Sequence, residues 1–338
     1  MAARFDRREF VLRAGRAALA LPILARTSLT SAIALASPAA LPKLRGIFAI
    51  LETPFKPNDE MDDEDLAREV DFCVRGGAHG LVWPQLAAEF YMLMEEERMH
   101  GAEVIVRAAA GRRPVVIGVQ APMKELAVKL ARHAEAKGAD AVIALPPYLG
   151  HAGLDTAADY YRSLARAVKI PIFIQNSGSP WGPAMSTDFV LGLAREFPQL
   201  GYIKEEVEPV GHRLEEYAHS GMMTGIFSGN AGRNLLNELP RGSSGTMPAC
   251  EFIDIDAEVY DLYAAGQHDQ ARELFEKLLP MINLEETYGM PFAKAVLERR
   301  GVFKTAKMRG RGAATALDTF DQQELEGWWK QLQPYFKV

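Results

Sequence analysis

Cysteine is nearly absent: Cys73 and Cys250 are the only two in 338 residues. That excludes a disulfide-framed scaffold and a multi-cysteine metal centre. One bridge is the most the chain can form. Cys73 falls in a helical pattern and Cys250 in a loop-like stretch far along the chain, so two buried thiols are expected. The seven histidines (His79, His100, His133, His151, His212, His219, His268) are scattered without a ligand spacing, and no metal site is expected. No glycine-rich phosphate loop follows the first β-like run; Thr53-Pro54-Phe55-Lys56 stands there instead. A basic excess is missing too. Against 38 Lys and Arg stand 44 Asp and Glu, a net charge of −6 without a basic stripe, which argues against nucleic acid as a partner.

The first residues read as an address rather than as part of the fold. Arg4, Arg7, Arg8 and Arg13 make a basic start, and Arg7-Arg8-Glu9-Phe10-Val11-Leu12 matches a twin-arginine export signal. The apolar stretch 17–25 is too short to span a bilayer. Ala34-Leu35-Ala36 offers a small-x-small cleavage site, so the expectation is a cleaved signal over residues 1–36 and a periplasmic protein. Removing it takes away six arginines and two acids and leaves a more acidic body with no membrane segment.

What is present is a rhythm. Short β-rich runs occur at 46–52, 80–83, 115–119, 141–145, 172–175, 202–204, 225–228 and 245–247. Most are continuously apolar, as parallel strands buried on both faces are. Between them lie segments of helical period with proper ends, such as 63–75 before Gly76-Gly77 and 123–137 before Gly138. Eight such units in about 200 residues predict an α/β fold, a closed (β/α)8 TIM barrel over residues 37–252. A doubly wound open sheet is the alternative, and it lacks its dinucleotide fingerprint. Residues 253–338 read as helices only, clearest at 271–279, 287–299 and 322–332: a final barrel helix and an appended helical region.

In such barrels chemistry sits at the C-terminal strand ends. Those ends are Glu52/Thr53, Pro84/Gln85, Gln120, Tyr148, Gln175/Asn176, Lys204, Ser228/Asn230 and Met247. Lys204 closes the run Leu200-Gly201-Tyr202-Ile203, a place where a desolvated amine can act as a nucleophile toward a carbonyl. The other reading of such a residue is a strand-end lysine reaching water. Glu205-Glu206-Val207-Glu208 reads as the acidic first turn of the next helix.

Gly46 to Ala49 with Thr53-Pro54-Phe55, Glu89, Leu93, Glu96-Glu97-Arg98, Pro146-Pro147-Tyr148, Asn176, Ile203-Lys204-Glu205, Ser228-Gly229 and Gly245-Thr246-Met247 fall in an ordered series. Over roughly residues 44–300 that series resembles the dihydrodipicolinate synthase / N-acetylneuraminate lyase family. The resemblance implies a class I aldolase-type lyase in which Lys204 forms an imine with a 2-oxo acid, with no cofactor beyond that covalent imine. It implies Tyr148 as the proton-shuttling phenol. Substrate contacts would come from Thr53, Gln85, Leu86, Ala87, Asn176, Ser228 and Met247. The partner would be a small 2-oxo acid or its aldol adduct, and the assembly a homo-oligomer, a tetramer or dimer.

The departures bear on substrate. Where the family carries Gly-Thr-Thr-Gly-Glu, this chain has Gln85-Leu86-Ala87-Ala88-Glu89, so both hydroxyls are gone. Leu149 replaces the second tyrosine of a frequent pair, and Gln175 stands where the family usually has tyrosine. Glu52 is either a substitute acid–base group or a surface carboxylate. Two rival functions follow: a divergent barrel that binds a small acid or partner protein without turnover, and a metal-dependent lyase using Glu52, Glu205 and Glu206.

Overall fold

The computed structural model describes residues 42–150, 152–309 and 317–338; the expected export signal and its cleavage site lie outside them. Eight parallel strands close into a barrel in chain order. They are β1 (Gly46–Ile50), β2 (Gly80–Trp83), β3 (Val115–Gly118), β4 (Ala141–Ala144), β5 (Ile172–Asn176), β6 (Tyr202–Glu205), β7 (Gly225–Ser228) and β8 (Gly245–Thr246). The helices between them are α1 (Asp63–Gly76), α2 (Glu95–Ala109), α3 (Lys124–Ala136), α4 (Leu154–Ala167), α5 (Thr187–Glu196), α6 (Val210–Ser220) and α7 (Leu235–Glu238). All eight expected runs are strands, with ends differing by at most two residues.

The continuous apolarity of the runs has a plain cause: both faces of each strand are buried. One set of alternate residues (Phe48, Val82, Val116, Ile143, Phe173, Tyr202, Phe227) packs inside the barrel. The other set (Ile47, Leu81, Ile117, Val142, Ile203, Ile226) packs beneath the helices. Closure depends on Gly245. Its φ of +151 is a glycine conformation, and a Cβ there would fall 1.9 Å from the Gly46 carbonyl oxygen.

Helix ends follow the chemistry at their termini. Asp62 caps α1 by accepting from the Glu64 and Asp65 amides, and left-handed Gly77 ends it. Ser186 caps α5 by accepting from the Phe189 amide. After β8 come α8 (Ile253–Ala264), α9 (His268–Tyr288), α10 (Met290–Arg299) and α11 (Thr319–Leu332). The run expected over 287–299 is broken at Gly289, where α9 stops and α10 begins. Cys73 and Cys250 are buried free thiols, and Cys250 Sγ donates to Glu69 Oε1 at 3.0 Å.

The inward register sets the floor of the site. Phe173 and Tyr202 have ring centroids 4.7 Å apart, and Phe227 meets Phe48 edge-on at 5.1 Å. Lys204 lies two residues beyond Tyr202 and pairs in register with Gln175 on β5 and Phe227 on β7. Residues two apart share a strand face, so Lys204 follows Tyr202 into the barrel interior, above this aromatic layer.

Candidate active site

Lys204 is only 3% exposed, so it is no snorkelling surface residue. Its Nζ lies 3.1 Å from Glu206 Oε1. Glu206 keeps the parity of β6 past the strand's end, where its backbone N–H donates to the Asn176 carbonyl at 2.9 Å. Its other oxygen is held from β5: Gln175 Nε2 donates to Oε2 at 2.7 Å and Ser177 Oγ at 2.5 Å. Burial alone would raise the Glu206 carboxyl. The Lys204 charge, with the hydrogen bonds from Gln175, Ser177 and Lys204, outweighs burial and holds it below the usual glutamate range. A carboxylate therefore stands ionised beside a buried amine. Gly229 makes the room, since a Cβ there would fall 2.1 Å from Glu206 Oε1.

The sequence reading has Glu206 only in an acidic helix turn or in the metal-dependent trio; its place beside Lys204 is what that reading missed. Residues 205–208 are not a helical turn; α6 begins at Val210 and has no acid in its first turn. Glu205 and Glu206 instead continue the strand and so face opposite ways. Glu205 accepts from Asn176 Nδ2 at 3.0 and 2.9 Å, from Tyr217 OH at 3.0 Å and from the Val207 amide, and pairs with Arg213 Nε at 3.1 Å. Its role is to hold β5, β6 and α6 together. The Glu52, Glu205 and Glu206 trio expected for a metal-dependent lyase does not converge, and among the described residues no three His, Cys, Asp or Glu gather as metal ligands.

The other expected site residues divide into two groups. Asn176 is engaged on the outer side, with Nδ2 donating to the Met185 carbonyl and Oδ1 accepting from the Met185 amide, both at 2.9 Å. Ser228 donates its hydroxyl to Glu238 of α7. Both side chains are held by groups outside the barrel interior and brace the loops behind the site. Thr53 Oγ1 donates to the Ala88 carbonyl at 2.6 Å and accepts from Trp83 Nε1 at 3.0 Å, so it clamps the loop after β2. Met247 belongs to the barrel interior.

Gln85 is fully buried: Nε2 donates to Gln120 Oε1 at 3.3 Å, while its own Oε1 has no partner among the described residues. Gln175 Oε1 is likewise without a partner. Gln175 pairs in register with Lys204 and so stands beside the Lys204–Glu206 pair at the barrel's C-terminal end. Leu86 and Ala87 stand where the hydroxyls would be, and Ala87 packs on the interior cluster. The acid that closes this segment, Glu89, makes a buried pair with Lys294 Nζ of α10 at 2.5 Å and accepts from the Arg309 amide. The β2 loop is thereby anchored to the C-terminal helices.

Tyr148, in the loop after β4, is half-buried among aromatics: Phe90 at 5.6 Å and Trp181 at 6.2 Å between ring centroids, with Trp181 in turn stacked on Tyr91 at 5.9 Å. Burial pushes its phenol up, opposed by the Arg98 charge. Arg98 is itself buried under the mouth, donating to the Gln120 and Gly118 carbonyls at 2.9 Å, and burial brings its guanidinium down to about 10.

A (β/α)8 barrel with a buried lysine at the C-terminal end of β6 has the architecture of a lysine-imine lyase. The Dihydrodipicolinate synthetase family model matches residues 43–330, and the chain belongs to that family. It is 30% identical over 274 residues to the L-2-keto-3-deoxyarabonate dehydratase of Azospirillum brasilense, covering 79% of this chain and 88% of that protein. It is 30% identical to a probable 2-dehydro-3-deoxy-D-pentonate aldolase of Escherichia coli strain K12, over 75% of this chain and 85% of that one. The crystal structure of dihydrodipicolinate synthase from Rhodopseudomonas palustris superposes with a TM-score of 0.78 at 26% identity, covering 88% of this chain and 100% of that one. The protein is thus a Schiff-base-forming lyase of the class I aldolase type acting on 2-oxo acids, a chemistry that needs no external cofactor.

Proposed function

We propose that the chain dehydrates a 3-deoxy-2-oxo acid bearing a hydroxyl on C4, with Lys204 as the imine-forming lysine and Glu206 as its acid–base partner. The observation that carries this reading is the 3.1 Å approach of Glu206 Oε1 to Lys204 Nζ inside the barrel mouth. Lys204 must shed a proton before its lone pair attacks C2, and Glu206 is the base in reach. Glu206 returns that proton to the C2 oxygen, which leaves as water; the carbinolamine becomes a protonated imine that acidifies C3, and Glu206 is again a carboxylate. The Glu206 carboxylate then takes a C3 proton, the electron pair moves into an enamine, and the new carboxylic acid returns the proton to the C4 hydroxyl as it leaves. Hydrolysis of the conjugated imine frees the lysine. A carboxylate suits this carbon-acid step better than the missing hydroxyls, whose places Leu86 and Ala87 hold.

Aldol cleavage is the second reading, favoured by the likeness to the pentonate aldolase. There the same base would take the C4 hydroxyl proton and the C3–C4 bond would break. Mass analysis of products from 3-deoxy-2-oxo pentonates separates the two: one product lacking water supports dehydration, whereas pyruvate plus an aldehyde overturns it.

The chain is further proposed to be exported through the Arg7-Arg8 signal and to act as a homo-oligomer, a dimer or tetramer. Normal export of an Arg7→Lys/Arg8→Lys variant would refute the first, and a monomer in light scattering the second.

A further inference from the structure

Next to the barrel mouth a cleft of roughly 390 Å³ opens at the end of β1, the loop after β2 and the C-terminal end of α9. Leu86 and Ala87 line it, and since Ala87 also packs on the barrel-interior cluster, the cleft adjoins the mouth. Three acidic residues line the same space: Glu52, Glu285 and Glu286. Glu286 is offset by Arg233 NH1 at 2.9 Å. Glu52 is not offset in this way. It is fully buried, and neither of its carboxylate oxygens has a hydrogen-bond partner among the described residues. Burial pushes its carboxyl well above the usual range; Lys294 opposes this, and Glu251, Glu69 and Glu89 add to it. Burial likewise pushes Glu285 up, reinforced by Glu251, Asp256 and Glu52. Tyr91 and Trp181, stacked with 25° between their planes, complete the lining with aromatic faces.

We propose that this cleft binds the ammonium group of a small organic amine. A buried acid without a partner is costly, and an ammonium supplies both the charge and the N–H donors that Glu52 lacks. Aromatic faces attract the same ion through the ring quadrupole. An alcohol of equal shape would satisfy a hydrogen bond but bring no charge to favour ionisation of Glu52 and Glu285. A carboxylate would oppose that ionisation. A bare divalent ion has no matching set, because no three acidic or imidazole side chains converge as ligands among the described residues. The amine is either the far end of a substrate held at Lys204 or a separate small molecule. The inference stands apart from the dehydration reading, since its test measures binding and not turnover.

The test is a ligand-observed NMR titration of the full chain with n-butylamine, n-butanol and butyrate, three probes of one shape and different charge. Butylammonium is expected to bind at least about ten-fold more tightly than the other two, and a Glu52→Gln/Glu285→Gln variant to lose about ten-fold of that affinity. Borohydride trapping of pyruvate by the double variant shows that it remains folded. Should it not fold, Glu285→Gln alone, at a less buried position, is expected to weaken butylammonium about three-fold. Equal binding of the three probes, or affinity unchanged in the folded variant, overturns the proposal. Repeating the titration with substrate present assigns the source: competition marks the substrate's far end, and undisturbed binding marks a separate amine.

Discussion

Gly229 and Glu206 are matched by omission: the carboxylate occupies the place where a side chain at 229 would begin, 2.1 Å from the ideal Cβ. The glycine is therefore required by its neighbour's position, and its substitution tests the neighbour without touching it. Gly229→Ala is expected to push Glu206 off Lys204 and to lower kcat by about 10²-fold, the range of a lost acid–base group. Single-turnover rates with a 2-oxo acid check this. An alanine variant with wild-type kcat would show that the Lys204–Glu206 contact is dispensable.

Glu206 also fixes an acid limb. Its carboxyl is held below the usual range, so it stays a base until the pH falls through that lowered value. For a carboxyl depressed by folding, the associated stability is present above the unfolded pKa and is lost as pH falls through the folded one. The kcat/KM profile of the wild type should hold its activity to a pH below the ordinary glutamate range and then fall. In Glu206→Gln the residual activity should lose this limb. A limb that persists in Glu206→Gln belongs to another group.

Glu69 behaves in the opposite sense. Burial raises its carboxyl to about 8, although hydrogen bonds from Cys250 and the Glu52 amide lower it. The folded protein then holds a proton that the unfolded chain releases above its ordinary value near 4.5, so stability falls as pH rises from there toward 8. The slope is at most about 1.4 kcal/mol per pH unit. Glu69→Gln copies the protonated acid and should flatten the slope, gaining stability at pH 8 relative to wild type. Urea denaturation at pH 5 and pH 8 measures it. A slope unchanged by the substitution would place the buried proton elsewhere.

The Lys294–Glu89 pair carries the link between the β2 loop and the C-terminal helices. Both side chains are at most 1% exposed. Lys294→Met leaves Glu89 buried without its partner and should cost about 3–5 kcal/mol. Lys294→Met/Glu89→Gln should recover part of that loss, because an unpaired charge no longer remains. Thermal and urea unfolding check both variants, and a double variant no more stable than the single one would contradict this.

The barrel was legible because burial on both strand faces forces continuous apolar runs such as Ile172–Ile174, and because glycines and caps mark the helix ends. Lys204 was legible as the last residue of such a run. Glu206 was not, because a row of acids after a strand looks like a helix N-terminus. The decisive signal was strand parity, which places Glu206 with Lys204 and turns Glu205 away. Asn176 and Ser228 were misplaced for the same reason: each sits at a strand end, but one residue past an inward position, facing the helices. The Glu89–Lys294 pair joins residues 205 apart in sequence and leaves no local pattern.

The central claim is that Lys204 forms the imine, and borohydride reduction in the presence of pyruvate tests it most directly by intact mass. The wild type should gain the mass of one reduced pyruvate, Glu206→Gln should gain it more slowly, and Lys204→Ala should gain none. No adduct on the wild type, or an adduct retained by folded Lys204→Ala, would contradict it.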